Sequence, residues 1–287
     1  MFSYIYSCWN YIKLYRHTSK FYQLHNTKNI TNTDINIFIS KIIPIISNCG
    51  CVCIKFCQWL TPILDFLYNE SDDNPEWLQL LETFYENCSI HSLNYTKKIY
   101  KQEFHKDILD TYEILEIIGS GSIGQVYKIK HIKSGEIFAM KVLHPHVAQE
   151  LWLFKWIVYI IYSIPYLQKK INRILPINFI EFMKLFETQL NMIQEANNLS
   201  LMKYNNRNDS EYIKIPHLIK CSPSILLMSY EPATSLDDTD ISDYEKLKLF
   251  ILMYLYCRYN FEYKNFNHAD LHKGNWKITK DKKIQIY

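Results

Sequence analysis

The chain has 287 residues, 48% of them hydrophobic and 21% charged, enough to bury one large core or two smaller ones and too apolar for wholesale disorder. Thirty-two basic against 29 acidic residues leave a net charge of only +3, which excludes a nucleic-acid partner held by bulk charge.

Residues 1–33 form a basic N-terminal segment. It has Lys13, Arg16, Lys20 and Lys28 among aromatics, and no Asp or Glu. A mitochondrial-type presequence has this composition, and so does a membrane-facing or solvated basic helix. Residues 34–110 read as a helical extension, with loops at 26–33 and 69–75. Pro75 followed by Glu76 and Trp77 marks a helix start. Two apolar stretches, Ile42–Leu67 and Leu151–Leu167, are interrupted by Pro44, Gly50, Lys55, Pro62 and Asp65, and by Lys155 and Pro165. Neither gives about 20 unbroken apolar residues, so buried helices, or a helix face resting on a membrane, fit better than membrane spans.

Cysteines stand at 8, 49, 51, 53, 57, 88, 221 and 257. The crowded run Cys49–Cys57 has no nearby His and no zinc-type spacing. It reads as small apolar residues in a buried helix of a protein in a reducing intracellular compartment.

At residue 112 the period changes. Tyr112–Ile118 is a strand candidate, followed by the loop Gly119-Ser120-Gly121-Ser122-Ile123-Gly124. Gln125–Ile132 is a second strand, Lys133–Glu136 a hairpin turn and Ile137–Leu143 a third strand. That order opens the small lobe of a kinase. Residues 147–204 return to helix as an insert. Met183–Asn198 reads as one helix with Thr188, Asn191, Glu195 and Asn198 on a polar face. Ile213–Pro216 and Ile225–Tyr230 are further strands. Glu245–Tyr263 is an apolar helix, and a strand pair is expected around Trp276 and Ile284. The fold class is therefore α+β: a kinase-like small lobe over 111–230, and the start of a large lobe over 231–287.

Three sets of residues carry chemistry. Glycines at 119, 121 and 124 let backbone N–H groups, with Ser120 and Ser122 beside them, approach phosphate oxygens. Lys141, on a strand twenty residues beyond Gly121, has the reach of a lysine that holds α- and β-phosphates, and Glu195 is the acid best placed to orient it. In His268-Ala-Asp-Leu-His-Lys-Gly-Asn275, Asp270 and Asn275 are five apart, the spacing of a kinase catalytic loop. Asp270 suits a catalytic base, Asn275 a magnesium ligand and His272 an orienter or proton relay. His268 suits a backbone hydrogen bond.

The strings Gly119–Lys128, Ala139–Pro145, Gln194–Asn198 and His268–Asn275 together resemble the UbiB family, the aarF-domain-containing atypical kinases linked to coenzyme Q biosynthesis. The His144-Pro145 pair and the Glu-Ala-x-Asn helix separate this pattern from ordinary kinases. The resemblance implies ATP and magnesium as cofactors, with Gly119 to Gly124, Lys141 and Glu195 around the nucleotide. It also implies a lipid or membrane surface and proteins of lipid or quinone synthesis as partners. Lys55-Phe56-Cys57-Gln58 occupies the place of the family's Lys-x-Gly-Gln motif, which implies that Lys55 and Gln58 lie on a gating helix facing the active site.

Five residues depart from the family pattern. Cys57 replaces the motif glycine, Gly124 a loop alanine and Lys273 a catalytic-loop proline, and the acidic pair before Glu195 becomes Gln189 and Asn191. The strand-like run after Asn275 ends at Tyr287, before any Asp-Phe-Gly, so the large lobe is expected to be incomplete and magnesium-dependent turnover negligible. The function expected is an atypical kinase or ATPase acting in an isoprenoid or quinone pathway. The alternatives are an impaired pseudokinase or scaffold, and a fragment of a split gene.

Overall fold

A computed structural model describes residues 2–25, 31–68, 75–85, 90–174, 178–208, 211–236, 238–266, 268, 271 and 275–287. In chain order the elements are α1 (Phe2–His25), α2 (Asn32–Cys49), α3 (Cys51–Tyr68), α4 (Glu76–Glu82) and α5 (Leu93–Phe104). Then come β1 (Tyr112–Ser120), β2 (Gly124–His131) and β3 (Ile137–Leu143). Helices α6 (Val147–Ser163), α7 (Pro165–Ile174), α8 (Phe179–Gln189) and α9 (Met192–Asn205) follow. The remainder is β4 (Ile213–Lys214), β5 (Leu218–Cys221), β6 (Ile225–Ser229), β7 (Ala233–Thr234), α10 (Asp243–Tyr263), β8 (Trp276–Thr279) and β9 (Ile284–Ile286). The fold is α+β, as expected from the sequence.

The chain divides into two compact units. The first comprises residues 1–92, 119–125 and 143–190. Its centre is α3, buried on two sides. One side packs with α2 and α4 through Ile42, Ile46, Cys53, Leu78 and Leu81. The other presents Val52 and Phe56 to Phe154, Phe182 and Phe186 of α6 and α8. Helices α2 and α3 must part at a point where side chains are already packed, and Gly50 makes the break with φ 109° and ψ −179°, a region open essentially to glycine. A Cβ there would sit on the Glu150 carboxylate. Glu150 occupies that space because its Oε2 accepts the N–H of Cys51 at 2.6 Å, capping the otherwise orphan start of α3. Burial raises the Glu150 pKa above its ordinary value, and the main-chain donors of Cys51 and Val52 oppose that shift. Cys49 and Cys53 are buried and Cys51 and Cys57 half-buried, all as free thiols. Among the described residues no helix is long and apolar enough to cross a membrane.

The second unit comprises residues 93–118, 126–142 and 191–287. Its main sheet has strand order β1-β2-β3-β6-β5. Helix α5 covers one face, where Tyr100, Tyr127, Ile129, Met140 and Val142 form a core and Thr96 Oγ1 meets the Tyr127 hydroxyl at 2.7 Å. A smaller sheet, β4-β9-β8-β7, joins strands distant in sequence: Ile213 pairs in parallel with Ile284.

Three expectations need correction. The helix expected over Met183–Asn198 is two helices. Asn191 caps α9 by accepting the Ile193 N–H at 3.0 Å, so Thr188 and Asn191 do not share a helical face with Glu195. The strand expected over 213–216 is only Ile213–Lys214, with Leu218–Cys221 a separate strand. The loop expected over Gly119–Gly124 is narrower, because β1 runs to Ser120 and β2 begins at Gly124.

Candidate nucleotide site

In the second unit, Lys141 and Glu195 meet although 54 residues separate them: Lys141 Nζ donates to Glu195 Oε1 at 2.7 Å. Strand β6 brings them together. Leu226 stands opposite Lys141 in the β3–β6 ladder, and the turn before β6 holds α9, where Pro223 O accepts the Met192 N–H at 3.0 Å. Glu195 lies in the first turn of α9, one helical turn beyond its cap. The two side chains keep 27% and 34% of their exposure, so a ligand approaching from solvent reaches both.

In the first unit, the glycine turn closes on itself, with the Gly121 N–H donating to the Gly124 carbonyl at 2.9 Å. Gly119 and Ser120 end β1, Gly121 and Ser122 form the turn, and Gly124 starts β2. The turn is held from α3. Gln58, buried to 6% exposure, accepts the Ser122 hydroxyl at 3.1 Å and donates through Nε2 to the Phe84 carbonyl at 2.6 Å. One amide therefore ties the tip of the turn to the 3-10 segment Thr83–Tyr85. Lys55 lies on the same helix, half-buried.

The catalytic-loop residues Asp270 and His272 lie outside the described residues. The two ends of that string are pinned in the second unit. His268 Nε2 donates to the main-chain oxygen of Tyr287 at 2.8 Å, and Tyr287 N donates to the Asn275 carbonyl at 3.0 Å. Among the described residues no group of three His, Cys, Asp or Glu side chains is placed to hold a metal. Asn191, where the resemblance places an acid, serves as a helix cap. The buried Gln189 Oε1 has no hydrogen-bond partner.

A separate cleft of about 900 Å3 opens in the second unit, walled by Phe138, Ile213, Tyr230, Glu231 and Gln285. Lys214 on its rim donates to Glu231 at 2.6 Å and to Asp281 at 3.4 Å. Lys141 and Glu195 do not line it.

No sequence motif marks His91, Phe84 or Glu150. His91 lies 53 residues from its partner His144 and carries no periodic signal, so only the folded chain shows it.

A sheet of this order, with a lysine–glutamate pair bridging strand and helix, defines a kinase-like class. The ABC1 atypical kinase-like domain matches residues 84–287, and the chain belongs to that ABC1/UbiB-type family. Misshapen-like kinase 1 of Rattus norvegicus is 42% identical over 38 residues, 13% of this chain and 3% of that protein. The solved complex of Rv3197 with erythromycin from Mycobacterium tuberculosis is similar in fold, with TM-score 0.53 and 16% identity. The likeness covers 68% of this chain, which spans only half of Rv3197.

Proposed function

We propose that the chain binds ATP as an atypical kinase or ATPase of the UbiB type. The carrying observation is the Lys141–Glu195 contact at 2.7 Å. A lysine so oriented presents its remaining N–H donors to phosphate oxygens, and strand and helix hold it before the ligand arrives. Gly119 to Gly124 would supply main-chain donors to the phosphates. Asp270 would position the attacking oxygen as catalytic base, with His272 beside it. Asn275 would offer an amide oxygen to magnesium, whose chemistry when bound is to neutralise phosphate charge. The gating role of Lys55 and Gln58 is supported by the hydrogen bond that Gln58 Oε1 accepts from the Ser122 hydroxyl of the turn. The domain plan follows: a helical extension over 34–110, a small lobe over 111–230 and large-lobe elements from 231.

An isoprenoid or quinone pathway is the setting the family suggests. A lipid surface as partner is supported by the exposed aromatic row Trp152, Trp156 and Tyr159 on α6, with ring centroids 5.8 and 5.9 Å apart. A second reading, a nucleotide-binding pseudokinase or scaffold, is favoured by Asn191. Its side chain is engaged as a cap and carries no charge for a metal.

The test is thermal unfolding with ATP, GTP or neither. A rise in Tm with ATP, larger than with GTP, supports the reading. No rise with either nucleotide at millimolar concentration sinks it.

A further inference from the structure

The His144-Pro145 pair after the lysine strand has no part in the function above, yet His144 meets the glycine turn through both its main chain and its ring. Its main-chain N–H donates to the Ile123 carbonyl at 2.8 Å, and its Nε2 lies 3.0 Å from the Gly121 carbonyl. A carbonyl only accepts, so Nε2 carries the proton, and Nδ1 of the neutral ring is an acceptor. His91 Nδ1 lies 2.8 Å from that atom and must donate to it. His144 is thus held in its Nε2–H form from both sides, by the Gly121 carbonyl and by the His91 N–H. The pair is enclosed, with exposures of 8% and 7%, and His91 is placed in turn by Gln125 Oε1, which accepts its main-chain N–H at 2.8 Å. Gln125 is fully buried with its Nε2 unpartnered, a cost the fold carries to keep His91 in position. Burial lowers the pKa of both rings, so the neutral pair persists at pH 7.

A trans peptide plane points its C=O and the following N–H in opposite directions. With the carbonyls of Gly121 and Ile123 turned to His144, the N–H groups of Ser122 and Gly124 point away from it. Two amides of one turn aimed away from the same side offer an anion more than one donor. We propose that His144, its tautomer set by His91, is a positioning residue that aims the Ser122 and Gly124 amides at the phosphates of a bound nucleotide. The proposal rests on the nucleotide reading above.

The experiment compares ATP with adenosine, which lacks phosphates, by calorimetry on the full chain, adenosine being read by displacement of ATP. His144→Leu should weaken ATP binding about tenfold and leave adenosine within about twofold. His144→Gln, whose amide nitrogen falls near the Nε2 position, should recover most of the loss. His91→Leu should weaken ATP several-fold, and His91→Asn, which keeps a donor near the Nδ1 position, should not. If His144→Leu fails to fold, the two His91 variants decide the matter with His144 in place. Equal losses for ATP and adenosine, or no loss for ATP, would overturn the positioning role alone. A wild-type chain that binds no ATP would overturn the nucleotide reading and this proposal together.

Discussion

Lys141 and Glu195 are joined at 2.7 Å because both hang from one strand: Leu226 of β6 lies opposite Lys141, and the turn at Pro223 receives the first amide of α9. The pair is partly solvated, and such ion pairs contribute roughly 0–1 kcal/mol to stability. Glu195→Gln should therefore move the urea midpoint little and weaken ATP binding markedly. A stability loss of several kcal/mol with unchanged ATP affinity would mean that the pair is purely structural.

Gly50→Ala tests the junction of α2 and α3. The position has φ 109°, and a methyl group would meet the Glu150 carboxylate that caps α3. Strain and lost capping together should cost about 2–4 kcal/mol. Urea denaturation reads it, and a cost under about 0.5 kcal/mol would show that α3 does not depend on this cap.

Gln58→Leu removes the buried partner of both the Phe84 carbonyl and the Ser122 hydroxyl. Leaving such groups unsatisfied costs about 1–3 kcal/mol. Ser122→Ala removes only one of the two bonds and should cost less. Equal costs for the two variants would place the stabilisation in the loop and not in the glutamine.

Much of the fold was legible in the sequence, and the reasons are local. The strands from Tyr112 to Leu143 alternate and are separated by glycines, and Gly135 with φ 74° closes the hairpin where expected. The break between α8 and α9 was misread because no Gly or Pro marks it. The signal was Asn191, whose value as a cap depends on the chain already bending there. Strand β4 is shorter than the expected 213–216, because its length is set by pairing with Ile284 and Gln285, seventy-one positions away, and not by the local pattern. Gln58 was found only through the family resemblance, since its partners Ser122 and Phe84 are brought near by the packing of α3. His144 stands out only beside Pro145 in the family resemblance, and its contact with His91 leaves no trace, because a contact across 53 residues obeys no period.

The buried histidines predict a pH dependence. Both have pKa values below the ordinary 6.5, His91 at about 4, with burial the leading cause in each case. Between those values the unfolded chain binds protons that the folded chain refuses. Their contribution is therefore full above about pH 6.5 and is lost as the pH falls toward 4. His91→Asn removes one titrating ring, so the variant's stability should fall less steeply over that window. Parallel pH profiles for the two proteins would contradict the assignment.

The role proposed for Lys141 is to hold nucleotide phosphate. Calorimetric titration of ATP into the wild-type chain and into Lys141→Met reads it directly. Saturable binding at one site is expected in the wild type, and affinity at least about tenfold weaker in the variant at unchanged Tm without ligand. Equal affinity in the two proteins would contradict it.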